Sequence, residues 1–433
     1  MDFAALRARL ADTAALRPVG SVRSVTGLSV RLMLPGARIG DVVLIRRRGE
    51  PLLAEVVGFE AGEAVAVPLG ELTGVGPDDR VESTGGPLHV LAGSGLLGCV
   101  LDGIGNLVAG QPRADDLVRV PIDRPPPPAL TRKPVAAPLA TGIRAIDGLM
   151  TLGVGQRVGL FAGSGVGKST LLGAIARGTS ADVVVVGLIG ERGREVSEFL
   201  EHSLGSQARE RSVVVVATSD APALERLRAA QVATAFAEHF RDQGQSVLLL
   251  LDSITRVARA QREVGLAAGE PPVRRGYPPS VFALLPRLLE RSGQSAAGAI
   301  TAIYTILVEG GDMDEPIADE VRGILDGHVI LERTLAARGH FPAIDVGASL
   351  SRVMGAVVSR EHAEAARQLR ESQAVYEEKR DLIALGGYAK GSDARVDHAL
   401  RVQPQIEQFL RQPADETCRF EDTLSALRKV AAV

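Results

Sequence analysis

The apolar positions along the chain form three successive patterns, and the first is typical of β-structure. Between residues 20 and 91, short β-branched runs such as LSVRLML, DVVLI and LLAEVVGF alternate with turn-rich pieces such as LPGARIGD. Short runs joined by turns predict a small antiparallel barrel or sandwich. Before them, residues 2–17 place Phe3, Leu6 and Leu10 at helical spacing. This predicts a short amphipathic helix, either packed at the terminus or docked on a partner.

A second pattern begins after the proline-dense segment RPPPPALTRKPVAAPLATG, residues 124–142, which we expect to be an extended connector. Apolar runs follow it: RVGLFAG, VVVVGLIG, SVVVVATSD, SVLLLLDS and AITAIYTILV. Helical stretches separate most of these runs. Runs that are apolar throughout predict strands buried on both faces, and the alternation with helices predicts a parallel sheet with helices on both faces.

The third pattern is helical and charged and begins at about Ser359, as in REHAEAARQLRESQAVYEEKRDLIAL. A glycine pair at 386–387 interrupts it, and further helices are expected up to the end of the chain. The three patterns predict an N-terminal segment and three domains. Their expected bounds are 1–19 for the segment, 20–92 for the β-domain, 93–358 for the α/β domain and 359–433 for the helical domain.

Composition excludes several classes of protein. The chain has 49 basic and 52 acidic residues and a formal charge of -3, so its net charge gives no argument for a nucleic-acid or membrane-surface protein. Cys99 and Cys418 lie far apart and show no metal-ligand spacing, which argues against a disulfide scaffold or a zinc site and fits a reducing cytoplasm. No run has the length and apolarity of a membrane span, so a soluble protein is expected.

The motif AGSGVGKS, residues 162–169, predicts a phosphate cradle. An apolar strand precedes it and a helical run follows, so backbone N–H groups and the helix N-terminus would surround phosphate oxygens. Lys168 would reach the outer phosphates of ATP, and the Ser169 hydroxyl would bind Mg²⁺. The first position is Ala162 instead of the usual glycine. The predicted nucleotide-binding residues are Gly163, Ser164, Gly165, Val166, Gly167, Lys168, Ser169 and Thr170.

Two carboxylates follow other predicted strands. Asp252 ends SVLLLLDS, where it would hold the water shell of Mg²⁺, cap the following helix, or do both. The next residue is Ser253, so the base that orients the attacking water must lie elsewhere. Glu191 in LIGERGREV is the candidate, with a solvated loop charge as the alternative. Its neighbour Arg192 would keep Glu191 ionised or position it.

These motifs together resemble the ATPase of type III protein secretion systems, a family that is similar in turn to the catalytic subunits of rotary ATP synthases. The resemblance rests on AGSGVGKS, GERGREV, LLLLDSITRVARAQREV and GEPPVRRGYPPSVFALLPRLLERSG in this order. It continues through ITAIYTILVEGGDMDEPIADEVRGILDGHVIL and HFPAIDVGASLSRVM and spans the chain from about 20 to 400. It implies an antiparallel β-barrel, a RecA-like P-loop sheet and a helical C-terminal domain.

The resemblance also implies a homohexameric ring in which each site is completed by an arginine of the neighbouring subunit. The matching position is Arg352 in ASLSRVM. A guanidinium at the γ-phosphate would stabilise charge in the transition state, and a surface ion pair is the alternative role for this residue. Phe341 in HFPAID falls where the family carries an aromatic ring against adenine, and a core aromatic is the alternative.

The implied function is ATP hydrolysis that releases chaperones from export substrates and unfolds those substrates at the export machine. The implied partners are a second copy of the chain, a central stalk protein, an N-terminal regulator, chaperones and substrates, and the export gate at the inner membrane. The implied location is the cytoplasm, peripheral to that membrane. Within the family, Met313, Glu315 and the pair Glu320-Val321 resemble the injectisome branch more than the flagellar branch.

Three further interpretations remain open from the sequence. A rotary ATP synthase subunit would share the cradle, but its ring alternates two kinds of chain, whereas this chain holds both a base and an arginine. A hexameric RNA helicase would need a base-stacking first domain, yet residues 20–91 contain one aromatic, Phe59, so no nucleic-acid partner is expected. The loop VRRGYPPS, with Arg274, Arg275 and Tyr277, resembles a surface that meets a stalk or a passing chain, or is a solvated turn.

Overall fold

The computed structural model describes residues 18–113 and 116–432, so the helix expected at 2–17 lies outside the described residues. The N-terminal strands form a closed antiparallel barrel in the order β1-β2-β5-β4-β3-β6, in which β1 also pairs with β6. The barrel, one of the two predicted alternatives, is therefore confirmed. Its strands are β1 (Val19–Thr26), β2 (Ser29–Met33), β3 (Val42–Arg46), β4 (Leu52–Glu60), β5 (Glu63–Pro68) and β6 (Arg80–Gly86).

Alternate side chains fill the barrel. Val30 and Leu32 of β2, and Val43 and Ile45 of β3, are fully buried, while Arg31 and Leu44 between them lie nearer the surface. Successive residues of a strand point to opposite faces, so this alternation directs one face of every strand into a single small core. Closure between β1 and β6 also leaves no open sheet edge in this domain.

The central domain contains a ten-stranded sheet in which most strands are parallel. Along the main path the order is β20-β19-β13-β18-β16-β14-β15-β8-β9; β17 pairs with β18, and β20, β9 and β17 are antiparallel. The remaining strands are β7 (His89–Ala92), β8 (Val100–Asp102), β9 (Leu107–Ala109), β10 (Val118–Pro121), β11 (Pro138–Leu139), β12 (Leu152–Gly153), β13 (Arg157–Ala162), β14 (Val183–Ile189), β15 (Ser212–Ala217), β16 (Ser246–Asp252), β17 (Gly293–Gln294), β18 (Ala299–Leu307), β19 (Gly327–Leu331) and β20 (Ile344–Ser351).

Two hydrophobic cores cover the faces of this sheet. In β14, Val183 and Val185 belong to one core and Val184 and Val186 to the other. Runs that are apolar at every position are thus explained by burial on both faces, and the predicted parallel sheet is confirmed.

The helices of the central domain pack on both faces. They are α1 (Arg144–Leu149), α2 (Lys168–Gly178), α3 (Gly193–Glu198), α4 (Gly205–Glu210), α5 (Ala223–Asp242), α6 (Ile254–Ala267), α7 (Pro279–Leu289), α8 (Pro316–Ile324), α9 (Arg333–Ala337) and α10 (Met354–Val357). Helices α5, α6, α7 and α8 contribute to one core, and α1 and α2 contribute to the other.

The C-terminal helices continue the second core. They are α11 (Arg360–Ala384), α12 (Ala394–Leu410) and α13 (Phe420–Ala431). Leu369 and Phe409 are buried in the same cluster as Ile146 of α1, so the helical domain is packed against the domain that carries the cradle. No helix within residues 18–113 and 116–432 combines the length and apolarity that crossing a membrane requires.

A buried ion pair ties the connector to the central domain. Arg291 binds Glu238 of α5 through two hydrogen bonds of 2.9 and 2.7 Å, and these side chains are 2% and 1% exposed. The same guanidinium donates to the carbonyl of Ile122, just before the connector. Arg291 therefore links the linker between the barrel and the sheet to the helix layer.

Glu238→Ala should lower the free energy of unfolding by about 3–5 kcal/mol, because it leaves the charge of Arg291 buried without its partner. Chemical denaturation of the full chain measures this loss. Glu364→Ala, which removes an exposed carboxylate on α11, is the matched control and should unfold like the wild type. Equal losses in the two variants would contradict the role given to the buried pair.

Candidate active site

The cradle lies where β13 ends and α2 begins. Residues 163–167 form the turn, and Gly165 and Gly167 have φ angles of 77° and 86°, in the left-handed region that favours glycine. The side chain of Val166 is buried and anchors the turn from beneath. Helix α2 starts at Lys168, so its free N–H groups and the positive end of its dipole meet the turn. This arrangement binds an anion such as a phosphate group.

Three charged side chains from three parts of the sheet meet beside the cradle. The Nζ of Lys168 lies 2.5 Å from Oδ1 of Asp252 and 3.1 Å from Oε1 of Glu191. Asp252 ends β16, and Glu191 follows β14 after Gly190. The strands β13, β18, β16 and β14 are neighbours and parallel, so their carboxyl ends share one edge of the sheet. From the sequence we expected Asp252 and Glu191 at the ends of buried strands, and the structure brings both into contact with Lys168.

Burial and charge shift the pKa values of this cluster. Burial alone would lower the pKa of Lys168, but the charges of Asp252 and Glu191 outweigh burial and raise it, so the lysine stays protonated. Burial raises the pKa of Glu191, and the nearby charge of Asp252 adds to the rise, while Lys168 opposes it. Glu191 is therefore a stronger base than an ordinary glutamate.

The carboxylate of Asp252 is 2% exposed and held by a hydrogen bond of 2.6 Å from the Thr305 hydroxyl of β18. The sequence left open whether Asp252 caps helix α6. The structure gives that cap to Ser253, whose hydroxyl accepts a hydrogen bond from the N–H of Arg256. Oδ1 of Asp252 is thus directed to Lys168 at the cradle, and the N–H of Arg256 at the helix end is bound by Ser253.

The loop that carries Glu191 is fixed by its backbone. The N–H of Gly190 donates to the carbonyl of Ala217 at 2.7 Å, and the N–H of Ser219 donates to the carbonyl of Glu191 at 3.0 Å. A Cβ atom at Gly190 would lie 3.0 Å from side-chain carbons of Arg256, so glycine is required here. Two backbone hydrogen bonds therefore hold the carboxylate at the sheet edge.

Arg192 lies beside Glu191 but is mostly exposed, and its guanidinium is 3.5 Å from Glu195. The side chain of Glu195 also contributes to the raised pKa of Glu191. The ion pair of Arg192 in the structure is thus with Glu195, and the expectation that Arg192 keeps Glu191 ionised or positions it stays a prediction. The sequence analysis missed Glu195, which one turn of α3 brings back toward Glu191.

Arg256 is a second residue that the sequence analysis missed. Its side chain lies over Gly190, next to Glu191, and its Nε is buried without a hydrogen-bond partner in the described part of the chain. The signal in the sequence was its place in the first turn of the helix that follows Asp252. The guanidinium of Arg256 adds positive potential at this end of the strands for an anionic ligand.

An apolar cavity of about 420 Å³ opens next to the cradle. The ring of Phe341 borders it, and a Cβ atom at Gly167 would lie 3.6 Å from two ring carbons, so the ring stands over the cradle. Phe341 is 46% exposed and is not a core aromatic. The other lining residues are Ile143, Val166, Gly167, Thr170, Leu171, Ala174, Leu331, Pro342, Ala343, Gln412, Pro413 and Ala414.

Part of this cavity wall comes from the helical domain, which the sequence analysis did not foresee. Residues 412–414 follow α12 and close the cavity from one side. The N–H of Gln412 donates to the carbonyl of Phe341 at 2.9 Å, and its side-chain amide binds the carbonyls of Gly142 and Glu416. The wall is thus fastened to both domains.

Arg352 lies near the amino end of β13, whereas its own cradle follows the carboxyl end of that strand. It follows β20, whose last residue Ser351 pairs with Gly327, the first residue of β19. Since β19 is parallel to β13, this is the amino end of β13, whereas the cradle follows its carboxyl end. The separation along the strand is about 13 Å at 3.3 Å per residue. The exposed Arg352 therefore lies near the end of β13 that is remote from its own cradle.

The loop of Arg274, Arg275 and Tyr277 is partly buried, contrary to a fully solvated turn. Tyr277 is 5% exposed and packs edge-to-face with Phe282. Arg274 and Arg275 are exposed and lie 3.4 and 3.3 Å from Asp319 and Asp312. The two arginines are thus presented at the surface of this loop, together with the apolar side chain of Val273.

Comparison with known proteins gives three family matches along the chain. The beta-barrel domain of the ATP synthase alpha/beta family matches residues 22–85, and the nucleotide-binding domain of that family matches residues 142–351. The C-terminal domain of the type III secretion ATPase EscN matches residues 358–429.

Individual relatives match over nearly their whole length. The type 3 secretion system ATPase of Xanthomonas euvesicatoria is 52% identical over 427 residues, which cover 98% of this chain and 97% of the relative. The flagellum-specific ATP synthase of Bacillus subtilis is 50% identical over 411 residues, or 94% of each chain. A solved structure of the assembled ATPase EscN from the enteropathogenic E. coli type III secretion system superposes with a TM-score of 0.90 at 46% identity, covering 95% of this chain and 100% of that chain.

Lys168→Met should lower the free energy of unfolding by about 3 kcal/mol near pH 8, because it leaves two buried carboxylates facing each other. The loss should shrink as the pH falls toward about 4.3, the ordinary pKa of glutamate. The sign follows from the raised pKa of Glu191, because protonation at low pH removes the repulsion. Denaturation at several pH values measures it.

Lys379→Met, which removes a half-exposed lysine of α11, is the matched control and should change stability little at any pH. A loss in Lys168→Met that does not depend on pH would contradict the electrostatic account of the cluster.

Proposed function

The chain belongs to the ATP synthase alpha/beta family, among the type III secretion and flagellar export ATPases, and from this membership we propose how its residues hydrolyse ATP. The enzyme is an ATPase that powers protein export. The observation that carries the proposed mechanism is the position of Lys168 between Glu191 and Asp252 at the rim of a phosphate cradle.

Phosphate binding is assigned to the turn 163–167 and to Lys168. Backbone N–H groups of the turn and of Ser169 and Thr170 would hold the phosphate oxygens, and Lys168 would reach the outer phosphates. Arg256 is the further cation at this edge. Phosphate would draw Lys168 away from the carboxylates, since one ammonium group cannot pair closely with all of these anions, and Glu191 would then be free to accept a proton.

Ser169 and Asp252 fit a Mg²⁺ site. Mg²⁺ takes few protein ligands and completes its shell with water and phosphate oxygens, and a hydroxyl beside a buried carboxylate meets this requirement. Oδ1 of Asp252 already contacts Lys168 at the cradle, and Ser169 is the next residue of α2. When bound, the ion would neutralise charge on the phosphate oxygens.

Glu191 is the proposed general base. It would orient a water molecule opposite the leaving ADP and accept its proton as the new oxygen–phosphorus bond forms and the bond to ADP breaks. Its raised pKa suits this role, because a base is most effective when its pKa approaches the working pH. Arg192, the next residue in the chain, would keep Glu191 ionised or help to position it.

Arg352 is proposed to complete the site of the neighbouring copy in a homohexamer. Its place near the amino end of β13 supports this, because its own cradle follows the carboxyl end of the same strand. The EscN relative is described as assembled. A guanidinium supplied by a neighbour typically contributes about 10³–10⁵ in rate, so a lone subunit would be a weak enzyme.

The apolar cavity is proposed to hold adenine. Phe341 would stack on the base, and residues 412–414 of the helical domain would cover its other side. Because Gln412 is fastened to both domains, occupation of the cavity would bear on the position of the C-terminal helices.

The proposed partners are those of a secretion ATPase. A relative is solved in complex with its central stalk EscO, and a stalk protein is proposed here by analogy. The other proposed partners are an N-terminal regulator, export chaperones with their substrates, and the export gate. We propose that the enzyme works at the cytoplasmic face of the inner membrane. There it would release chaperones from their substrates and unfold those substrates. The secretion and flagellar relatives match at nearly the same identity, 52% and 50%, so these identities do not separate the two branches. We propose the injectisome branch from the residues Met313, Glu315 and Glu320-Val321.

Glu191→Gln should bind ATP like the wild type and hydrolyse it about 10²–10⁴ times more slowly, because the amide cannot accept the proton of water. A fluorescent ATP analogue measures binding, and phosphate release measures turnover. Glu198→Gln, which changes an exposed carboxylate at the end of the short helix α3 that follows Glu191, is the matched control. Turnover of Glu191→Gln at the wild-type level would remove Glu191 as the base.

A further inference from the structure

The turn that carries Arg352 is fixed from beneath by a buried glutamine. Gln156, just before β13, is fully buried, and its Nε2 donates to the carbonyl of Asp326 at 3.0 Å and to the hydroxyl of Ser351 at 3.1 Å. The backbone N–H of Arg352 donates to the same carbonyl of Asp326 at 3.0 Å. One carbonyl oxygen thus joins the start of β13 to the backbone of Arg352.

Asp326 itself is held by an ion pair with the first residue of β13. Its carboxylate accepts from the backbone N–H of Arg157 at 3.1 Å and from the guanidinium at 3.0 and 3.2 Å. The N–H of Asp326 returns a hydrogen bond of 2.9 Å to the carbonyl of Arg157. Hydrogen bonds of both its side chain and its backbone therefore fix the position of Asp326 relative to β13. We call Arg352 the finger, and Gln156, Arg157 and Asp326 the finger clamp.

The backbone around the clamp is so closely packed that there is no space for a side chain at Gly327. A Cβ atom at Gly327 would lie 2.5 Å from the carbonyl oxygen of Leu350. Arg352 itself is exposed, so its guanidinium is free to reach outward while its Cα is fixed. This combination is what a side chain needs if it must meet a ligand on another molecule at a set distance.

The clamp is built on the same strand that carries the cradle. Arg157 begins β13, and Ala162 ends it just before the phosphate turn. Strand β13 pairs with β18 on one side and β19 on the other, so it is fixed along its length. Each end of β13 therefore faces a different nucleotide site, its own at the carboxyl end and that of the neighbour at the amino end.

We propose that the finger clamp positions Arg352 for catalysis in the neighbouring subunit. Its residues are positioning residues that touch no nucleotide, and the proposal rests on the function given above to Arg352. Loss of the clamp should misplace the guanidinium and lower turnover by about tenfold to a hundredfold. Nucleotide binding in the same subunit should not change, because the cradle lies at the other end of β13.

Asp326→Asn is the first test, because it removes the charge of the ion pair and keeps the size of the side chain. Arg157 is less suitable, since it also pairs with Glu290. Gln156→Met removes the other support of the same turn and serves if Asp326→Asn does not fold. Asp345→Asn is the matched control, because its carboxylate lies on β20 and accepts from the N–H of Ala348. It should keep wild-type turnover.

Mixing experiments separate a defect on the finger side from one on the cradle side. Lys168→Met has a disabled cradle and an intact finger, and Arg352→Ala has the reverse. Mixed together, the two should regain activity, since on random mixing about a quarter of the interfaces combine two intact halves. Asp326→Asn should regain activity with Lys168→Met and gain none with Arg352→Ala.

The outcomes distinguish failure of the clamp proposal from failure of the role given to Arg352. If Asp326→Asn instead regains activity with Arg352→Ala, or binds the fluorescent ATP analogue more weakly than the wild type, its defect lies at the cradle and the clamp proposal is wrong. If the reference pair of Lys168→Met and Arg352→Ala stays inactive, the function given to Arg352 fails, and the clamp proposal loses its premise.

Discussion

The contact of one ammonium group with two carboxylates is the interaction on which the site depends. Lys168, Asp252 and Glu191 follow three different strands, and they meet because β13, β16 and β14 end at one edge of the sheet. Without a nucleotide, Lys168 balances the two negative charges. Phosphate groups would compete for Lys168, and the same cluster would then offer a lysine to phosphate and a base to water. The order of the strands is thus a requirement of the chemistry.

A second constraint comes from the two ends of β13. The carboxyl end carries the cradle, and the amino end carries the clamp that holds Arg352. Since β13 is buried between two parallel neighbours, a rigid element separates the two halves that each complete site requires. In the mechanism that we propose, one chain holds all the parts of the site but cannot bring them together, and self-association completes the site.

The sequence predicted the features that have a local signature. Strands that are apolar at each position, such as β14 and β16, were recognised because both of their faces are buried. The strands β8, β19 and β20 were not, because they are short or lie toward the edges of the sheet, where the apolar run is interrupted. The wall formed by residues 412–414 has no local motif and depends on the packing of the helical domain. Closure of the barrel likewise depends on the pairing of β1 with β6, which the turns alone do not determine.

The measurement that tests the account most directly is the ATPase rate per molecule of the purified chain over a wide range of protein concentration, with no partner protein and no RNA. We expect a rate that rises steeply with concentration, because each cradle then gains the Arg352 of a neighbour. A rate per molecule that stays constant down to concentrations at which the chain is a monomer would contradict the account, because one subunit would then hold a complete site.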